Sequence, residues 1–389
     1  MEITINELGQ LTPDSYILLD MRGDVEVGHG IIPGAIHMSK EEILEKYSGG
    51  LVKVDEAEAA EREDSAEKKL IIYCARGRIS QELAEALRDR GYDAYSLKGG
   101  YTSWLLNEMK NQQADEVCAQ VEKSIRKKFR KNIWCKFTKA INQYELVKEG
   151  DCIAVCISGG KDSMLAKLFQ ELKLHNKFPF EVKFVVMDPG YSPENRKVIE
   201  ENARKLKIPI HIFESDIFES VYHIEKSPCY LCARMRRGYL YAHARELGCN
   251  KIALGHHFDD VIETILMGIL YGGQINTMMP KLHSTNFQGM ELIRPLYYVK
   301  EEDILAWKDY NGLHFLQCAC RFTEAISREE EAHLSKRQEM KELIRSLRKT
   351  SPFIDANIMK SVENINLDAC LGYVKDGVRR HFMDEYDER

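Results

Sequence analysis

The order of apolar and polar positions predicts strands that alternate with helices along most of the chain. Short apolar runs lie at residues 16–22, 70–73, 152–157, 181–187, 208–213 and 251–254. Segments with the apolar period of a helix lie between them, at residues 80–90, 162–174, 193–205, 233–247 and 259–270. Buried strands that alternate with helices form parallel sheets covered on both faces, so the predicted fold class is α/β.

These elements fall into two sheet-forming segments joined by a helical one. We predict an α/β domain at 1–110, a basic helical linker at 111–148 and a doubly wound parallel-sheet domain at 149–325. Residues 326–389 carry charged helical patterns and are predicted to form C-terminal helices. Ligands of doubly wound sheets bind at the carboxyl ends of the strands. The residues that follow the apolar runs are therefore the first candidates for a site.

The run 152–157 is followed by a glycine motif, Ser158-Gly159-Gly160-Lys161-Asp162-Ser163. Glycines let the backbone approach a phosphate, and the N–H groups of a first helical turn donate to it. The spacing differs from that of the Walker loop. A chance glycine turn is the alternative, but the whole hexapeptide in this context favours a nucleotide site. It resembles the loop of the PP-loop ATP pyrophosphatases, which implies ATP binding by all six residues and catalytic roles for Lys161 and Asp162.

Two further strand ends are polar and are expected at the same edge of the sheet. They carry the additional candidate ATP ligands Met187, Asp188, Gly255 and His256. Asp259 and Asp260 precede a predicted helix, so one of them is expected to cap it. We predict that the other, assigned as Asp259, is catalytic and holds Mg²⁺ against the phosphates. The alternative interpretation of at least one of His256 and His257 is a buried histidine that has no catalytic role.

Charge and hydropathy restrict the partners. The chain has 389 residues and a net charge of −6, so no global field attracts nucleic acid. Basic residues nevertheless cluster at 123–139, and the candidate RNA ligands there are Lys127, Lys128, Arg130 and Lys131. A solvated helix face explains this cluster equally well. With neither a signal peptide nor an apolar run of transmembrane length, we expect a cytoplasmic protein without a membrane partner.

The cysteine pattern indicates a metal or sulfur site. Eleven cysteines in a reducing compartment favour metal binding or sulfur chemistry over disulfides. Cys229 and Cys232 form the sole C-x-x-C pair, and Cys318 and Cys320 follow downstream. Either Cys318 or Cys320 would bring the number of thiolates at the site to three. Three thiolates on a [4Fe–4S] cluster leave one iron open to an exogenous ligand such as sulfide. A Cys₄ zinc site that uses both is the alternative.

Cys74 follows a predicted strand and precedes a helix, where loop N–H groups and the helix dipole stabilise a thiolate. Arg76 and Arg78 are expected to lower its pKa further. Residues 1–110 resemble a rhodanese domain through Asp20-x-Arg22, the Ile-Pro-Gly-Ala stretch at 32–35, residues 74–80, and Gly99-Gly100 with Trp104. The resemblance implies that Cys74 carries sulfur as a persulfide. A structural or regulatory rhodanese domain is the alternative.

Residues 130–366 resemble the TtcA-like tRNA 2-thiocytidine synthetases. The resemblance is carried by residues 158–163, 228–238, 253–260, 271–273, 279–282 and 293–296. It implies ATP with Mg²⁺, a [4Fe–4S] cluster on Cys229, Cys232 and Cys318, and thiolation of cytidine at tRNA position 32. The family's late cysteine motif is C-x-x-C whereas this chain has Cys318-Ala319-Cys320, so Cys320 is the alternative third ligand. The zinc-finger cysteine pairs of a related uridine-thiolating branch are absent here.

Together these motifs predict ATP-dependent tRNA thiolation. ATP would adenylate a nucleobase carbonyl, and sulfur from a Cys74 persulfide would then replace the oxygen. Further RNA contacts are predicted at Arg234, Arg236 and Arg237, for which packing and solvation are the alternative. The expected partners are tRNA and an upstream sulfur donor such as a cysteine desulfurase, and a homodimer stays open. Thiolation of a uridine, sulfur transfer to a small metabolite, and an Fe–S redox-sensing RNA-binding module are the alternative functions.

Overall fold

The structure is a computed structural model that describes residues 1–48, 68–215, 217, 228–316 and 336–388, with the backbone alone at 228–233, 385, 387 and 388. The chain divides into two units, Met1–Ala114 and Asp115–Arg389, each with a sheet of its own. The boundary lies inside one helix, Gly100–Arg126. None of the helices in the described ranges has the length and apolar character that a bilayer-spanning segment needs.

The first unit is built on five parallel strands. They are β1 (Glu2–Ile3), β2 (Tyr16–Asp20), β3 (Ile36–His37), β4 (Lys69–Tyr73) and β5 (Ala94–Leu97). Their order is β1-β5-β4-β2-β3, so β4 lies at the centre. Leu70 and Ile72 pack into one core cluster and Ile71 and Tyr73 into another, because successive side chains of a strand point to opposite faces.

Helices complete the first unit. They are α1 (Ile5–Leu8), α2 (Asp24–Val27), α3 (Lys40–Lys46), α4 (Arg78–Asp89) and α5 (Gly100–Arg126). Ile43 of α3 and Leu83 of α4 pack on one face of the sheet, whereas Tyr101 and Trp104 of α5 pack on the other. This is the expected layering of a parallel sheet between helices.

The second unit contains a six-stranded sheet and a separate hairpin. Its strands are β6 (Cys152–Ile157), β7 (Glu181–Asp188), β8 (Ile210–Glu214), β9 (Lys251–Ala253), β10 (Lys281–His283), β11 (Glu291–Ile293), β12 (Gly372–Lys375) and β13 (Val378–His381). The sheet has the order β10-β11-β9-β6-β7-β8, and only the β10–β11 pair is antiparallel. The predicted α/β fold class with a doubly wound parallel sheet is confirmed.

Helices cover both faces of this sheet. They are α6 (Cys135–Gln143), α7 (Asp162–His175), α8 (Pro193–Lys205), α9 (Pro228–Glu246), α10 (Phe258–Gly272), α11 (Glu301–Tyr310), α12 (Lys336–Thr350) and α13 (Ile354–Glu363). Val155 of β6 belongs to the core that includes α7 and α10, and Ala154 to the core that includes α9. The C-terminal helices α12 and α13 pack against α10.

Several local features differ from the sequence predictions. Helix α9 begins at Pro228 rather than at residue 233, so the C-x-x-C pair lies in its first turns. Strands β10 to β13 were not predicted, because runs of three or four residues with mixed polarity give no periodic signal. Phe137 is buried and Trp134 packs against the same core, so these aromatic residues belong to the interior. The first ten residues of the predicted C-terminal segment, 326–335, lie outside the described residues.

A buried ion pair fixes the end of β2. Asp20 is fully buried and Arg22 is 5% exposed, and their Oδ2 and Nη2 atoms lie 2.6 Å apart. The same Nη2 donates to the Gly30 carbonyl at 2.6 Å, and the guanidinium lies 3.6 Å from the Tyr101 ring centroid. The pair therefore ties β2 to the following loop and to the start of α5.

We predict that Asp20→Asn destabilises the first unit by about 3–5 kcal/mol, because it leaves the buried Arg22 charge without its partner. The matched control is Asp24→Asn, since Asp24 is 96% exposed and its contact with His37 spans 3.7 Å; it should cost less than about 1 kcal/mol. Amide hydrogen exchange of the β4 peptide in the full chain measures both changes. Equal protection in the two variants would contradict the assignment of Asp20–Arg22 as the structural pair.

Candidate nucleotide and sulfur-transfer sites

The carboxyl ends of β6, β7 and β9 border a cavity of about 410 Å³ in the second unit. Residues predicted to bind ATP that line it are Ser158, Gly160, Lys161, Asp162, Met187, Gly255 and His256. The other three predicted ligands, Gly159, Ser163 and Asp188, are not among the lining residues. The cavity is where the rule for doubly wound sheets puts a ligand.

The glycine motif forms a tight loop ahead of α7. Gly159 has a φ of +82°, a conformation that favours glycine. Ser158 donates to Asp162 Oδ2 through its hydroxyl at 2.6 Å and through its backbone N–H at 3.3 Å. Burial raises the pKa of Asp162. A Cβ on Gly255 would lie 1.9 Å from Asp162 Oδ1, so this glycine leaves the space that the aspartate occupies.

Lys161 is held by two side chains from other elements. Its Nζ lies 2.8 Å from His257 Nε2 and donates to Glu301 Oε1 at the start of α11. The other Glu301 oxygen accepts from Lys341 of α12 at 3.3 Å. Burial opposes ionisation of Glu301, yet its pKa lies below the ordinary value because Lys161 donates to it. Sequence reasoning missed Glu301 and Lys341, which lie far from the loop in the chain and form no local motif.

The two histidines of the β9–α10 connection differ in exposure, since His257 is buried and His256 is half-buried. Burial lowers the pKa of His256 to about 4 and also lowers that of His257. In both rings Nδ1 lacks a hydrogen-bond partner among the described residues. Two buried ring nitrogens at the cavity wall fit a polar ligand, and a cradle of loop amides with Lys161 fits a polyphosphate.

The adjacent aspartates Asp259 and Asp260 have different environments. Both Asp259 oxygens are engaged, one by the Glu301 N–H at 2.7 Å and the other by Arg348 of α12 at 2.8 Å. Asp260 lines the cavity and accepts from the His257 N–H at 3.0 Å. The expected Mg²⁺ position therefore fits Asp259 poorly, since its lone pairs already serve α11 and α12. Asp260 combines the capping role with the position next to the cavity.

Asp188 shapes a turn rather than the cavity wall. Its Oδ1 accepts from the N–H groups of Gly190 at 2.9 Å and Tyr191 at 2.7 Å, while Arg196 pairs with Oδ2 at 3.1 Å. Met187, one residue earlier, lines the cavity. The β7 end thus offers an apolar contact to a ligand, with Asp188 holding the turn beside it.

Residues next to both cysteine motifs line this cavity. Cys229 and Cys232 lie in the first turns of α9, and Arg236 and Arg237 one turn later line the cavity. Leu316 lines it too, and its N–H donates to the Gly159 carbonyl at 3.0 Å. Cys318 and Cys320 follow directly but lie outside the described residues. In the described part of the chain, no group of side chains has the geometry of a metal site.

Most of the predicted RNA ligands are exposed. Those with an exposed side chain are Lys127, Lys128, Arg130, Lys131, Arg234 and Arg237, while Arg236 is half-buried. Lys128 Nζ lies 4.0 Å from the Tyr310 ring centroid, a cation–π contact that still leaves the charge at the surface. These residues remain available to phosphates.

In the first unit, the loop after β4 wraps around the Cys74 sulfur. The Gly77 N–H donates to Sγ at 3.1 Å and the Ser80 hydroxyl at 3.4 Å. Although burial opposes ionisation, these donors hold the pKa of the Cys74 thiol below its ordinary value, together with the N–H of Arg76. A Cβ on Gly100 would lie 2.1 Å from the Cys74 carbonyl oxygen, so the glycine permits the loop to close.

The side chains of Arg76 and Arg78 do not have the role expected from sequence. The largest contributions that lower the pKa of Cys74 come from Ser80 and from backbone N–H groups, and neither guanidinium is among them. Cys74 itself is 6% exposed. A low-pKa thiol in a ring of N–H donors is suited to hold an anionic sulfur.

We predict that Gly255→Ala reduces ATP-dependent turnover by roughly 10²-fold or more, since the added Cβ displaces the Asp162 carboxylate from the loop. Gly272→Ala is the matched control, because a Cβ there meets nothing within 4 Å. Turnover and ATP affinity of both variants, with circular dichroism as the check on folding, test this. Unchanged turnover in a folded Gly255→Ala protein would contradict the assigned loop geometry.

Glu263 gives a pH-dependent prediction. It is buried on α10, where burial raises its pKa to about 7 despite Arg337 and Lys341 nearby. Because the folded state favours the protonated acid, stability from this group is complete below its ordinary pKa of 4.5 and is lost as pH rises through about 7.

Glu263→Gln should therefore be more stable than the wild type at pH 8 by about 1–3 kcal/mol, and nearly equal at pH 5. Glu302→Gln is the control, since that side chain is 71% exposed. Urea midpoints at the two pH values provide the measurement. If the stability of Glu263→Gln relative to wild type were lower at pH 8 than at pH 5, the assigned direction of the Glu263 pKa shift would be wrong.

Residues 129–329 match the family described as PP-loop domain, and residues 4–107 match the rhodanese-like domain. A tRNA-cytidine(32) 2-sulfurtransferase of Geotalea uraniireducens (strain Rf4) is 36% identical over 232 residues, covering 58% of this chain and 88% of that protein. One from Syntrophotalea carbinolica is 37% identical over 241 residues, covering 60% and 90%.

Among solved structures, the U34-tRNA thiolase NcsA from Methanococcus maripaludis, with its [4Fe–4S] cluster, is 20% identical with a TM-score of 0.46. That similarity covers 59% of this chain and 78% of that one. The predicted rhodanese-like and PP-loop domains are confirmed by the family matches. This chain belongs to the PP-loop family of ATP-dependent sulfurtransferases, as a relative of the tRNA-cytidine(32) 2-sulfurtransferases with a rhodanese-like domain ahead of its PP-loop domain.

Proposed function

We propose that this protein replaces a nucleobase carbonyl oxygen of tRNA with sulfur at the expense of ATP, and that the base is the cytidine at position 32. The observation that carries the proposal is one cavity bordered by the phosphate loop, by Arg236 and Arg237, and by the segments leading to the cysteine motifs. Relatives named for this reaction match over nearly their whole length, which supports the same substrate.

ATP binds with its phosphates on the 158–163 loop and its base toward Met187. Lys161, held by Glu301 and His257, balances the charge that develops on the leaving pyrophosphate. Asp162 holds the Ser158 end of the loop in place. Mg²⁺ is assigned to Asp260, which borders the cavity, and Asp259 is a positioning residue that joins α10 to α11 and α12.

The chemistry follows from making a poor leaving group into a good one. The carbonyl oxygen of the base attacks the α-phosphorus of ATP, and pyrophosphate leaves. Sulfide then attacks the ring carbon that carries this oxygen, and AMP departs with the oxygen. Cys229, Cys232 and Cys318, with Cys320 as the alternative third ligand, have the soft thiol donors of a [4Fe–4S] site. Such a cluster supplies an open coordination position for sulfide when bound.

Cys74 is proposed as the carrier of that sulfur, held as a persulfide. A dithiol reductant would release it as sulfide: one thiol attacks Sγ of Cys74 and displaces sulfide, and the second thiol then breaks the mixed disulfide and frees Cys74. The depressed pKa of Cys74 favours the thiolate, which takes a sulfane sulfur from an upstream persulfide donor such as a cysteine desulfurase. The persulfide anion would occupy the ring of N–H groups from the 74–80 loop. In the proposal, tRNA phosphates meet the exposed residues Lys127, Lys128, Arg130, Lys131, Arg234 and Arg237, together with the half-buried Arg236.

Nucleoside mass spectrometry of tRNA from a deletion strain tests the proposal. We expect 2-thiocytidine to disappear, to return with the wild-type gene, and to stay absent with Lys161→Met, which removes the phosphate-binding charge. An unchanged thionucleoside profile would overturn the proposal, and loss of a 2-thiouridine instead would reassign the base.

Cys74→Ser separates the sulfur relay from the thiolation itself. We expect it to remove 2-thiocytidine, because serine cannot form a persulfide. Cys135→Ser, at an exposed cysteine of the second unit, is the control and should leave the nucleoside level unchanged. Full 2-thiocytidine with Cys74→Ser would remove Cys74 from the pathway but leave ATP-dependent thiolation intact.

A further inference from the structure

Helix α12 directs its cationic side chains at the acidic groups around the phosphate loop. Arg337, Lys341 and Arg348 are four and then seven residues apart, so they lie on one face of the helix. Arg337 Nε lies 3.3 Å from Glu263 Oε2 of α10, and Arg348 Nη2 lies 2.8 Å from Asp259 Oδ1. Among the described residues that line the cavity, none belongs to α12. The helix therefore acts on a ligand through the groups that it holds.

Lys161 and Lys341 hold the two oxygens of one carboxylate. Lys161 Nζ donates to Oε1 of Glu301, and Lys341 Nζ donates to Oε2 at 3.3 Å. The exposed fractions of the three side chains lie between 24% and 31%, so solvent screens these charges only in part. With one cation on each oxygen, the attraction that Glu301 exerts on either lysine depends on the presence of the other.

Glu301 competes with a polyphosphate for Lys161. Lys161 lines the cavity, whereas Glu301 and Lys341 do not. An ammonium group has three donors, and in Lys161 two of them face Glu301 and His257 Nε2, the latter at 2.8 Å. A phosphate that approaches this Nζ draws it away from Glu301, because both anions attract the same charge. The shift takes a cation from a carboxylate that is mostly buried, which is unfavourable unless another cation remains.

Lys341 is the cation that remains. In the described ranges, the side chains within ion-pair distance of Glu301 are Lys161, Lys341 and His257. His257 Nε2 faces the ammonium group of Lys161 as an acceptor, so this ring carries no positive charge. Lys341 also lies 3.9 Å from Glu263 Oε1, and Glu301 is its closer carboxylate. Lys341 therefore balances the charge of Glu301 when Lys161 turns to a phosphate.

We propose that Lys341 is a positioning residue for the reaction with ATP, which holds the charge of Glu301 so that Lys161 is released to the phosphates. The inference rests on the proposed function for the identity of the ligand. Without Lys341, Glu301 would keep Lys161 as its single ammonium partner. The phosphates would then compete with a stronger contact, and ATP would bind more weakly.

The test measures binding of ATP, with Mg²⁺ present, to the full-length protein carrying Lys341→Met. Lys349→Met is the matched control, because Lys349 is an exposed lysine of the same helix. For Lys341→Met we expect the dissociation constant for ATP to rise roughly 5- to 50-fold, within the range of coupled charges in one network. The dissociation constant for adenosine, which has no phosphate, should stay within about twofold. Lys349→Met should bind both ligands as wild type does.

Three further variants separate positioning from a structural role. Lys341→Arg keeps the charge and should recover most of the ATP affinity. Lys341→Gln keeps a donor without the charge and should bind ATP as weakly as Lys341→Met, so it maintains the test if the methionine variant does not fold. In a Glu301→Gln background, Lys341→Met should change the ATP affinity by less than about twofold, since the competing carboxylate is gone.

Several results would overturn the inference. A lower melting temperature of Lys341→Met with unchanged ATP affinity would make Lys341 a structural contact between α11 and α12. Equal losses of affinity for ATP and adenosine would mean that the cavity itself is altered. An equal effect of Lys341→Met with and without the Glu301 carboxylate would exclude action through Glu301.

Nucleoside analysis of the deletion strain separates this inference from the proposed function. If the Lys341 variants bind ATP as expected but the deletion strain keeps its thionucleosides, the proposed function fails and the inference stands. If 2-thiocytidine is lost in the deletion strain but all variants bind ATP equally, the inference fails and the proposed function stands. A wild-type protein that does not bind ATP would overturn both.

Discussion

The ion pair between Lys161 and Glu301 is the contact on which the organisation of the second unit depends. It joins the phosphate loop after β6 to the start of α11, and Lys341 extends it to α12. A parallel contact runs from Asp259 of α10 to Arg348 of α12. The phosphate loop, α10, α11 and α12 are therefore linked by one network of charged side chains. A change of charge at the loop alters the electrostatic environment of α12.

The two sites of the chain stabilise negative charge by different means. Around Cys74 the donors are mainly backbone N–H groups of a short loop and the hydroxyl of Ser80, and they are fixed by the fold. Around the cavity of the second unit the amides of the 158–163 loop are joined by long cationic side chains, of which Lys161 is already paired. The first arrangement suits a small anion such as a persulfide held in one place. The second suits phosphates that arrive, are cleaved and leave.

Sequence alone was sufficient for features that depend on neighbouring residues. The 158–163 loop and the Cys74 loop are local, because each needs only a strand end, glycines and a helix start. The contact between Lys161 and Glu301 could not be predicted from the sequence, because 140 residues separate the two and no local motif links them. The choice between Asp259 and Asp260 was equally inaccessible. It depends on which of the two adjacent carboxylates accepts the capping hydrogen bond in the first turn of α10. The rotation of the helix about its axis decides this, and tertiary packing sets that rotation.

The most direct measurement of the central claim follows the oxygen atom that sulfur replaces. A tRNA whose target cytidine carries a heavy oxygen isotope at the 2-carbonyl is incubated with the enzyme, ATP and a sulfur donor. Adenylation of the carbonyl predicts that the heavy atom appears in AMP, one for each thiolated base, with pyrophosphate as the other product. Heavy oxygen recovered in water, or ADP formed in place of AMP, would contradict it.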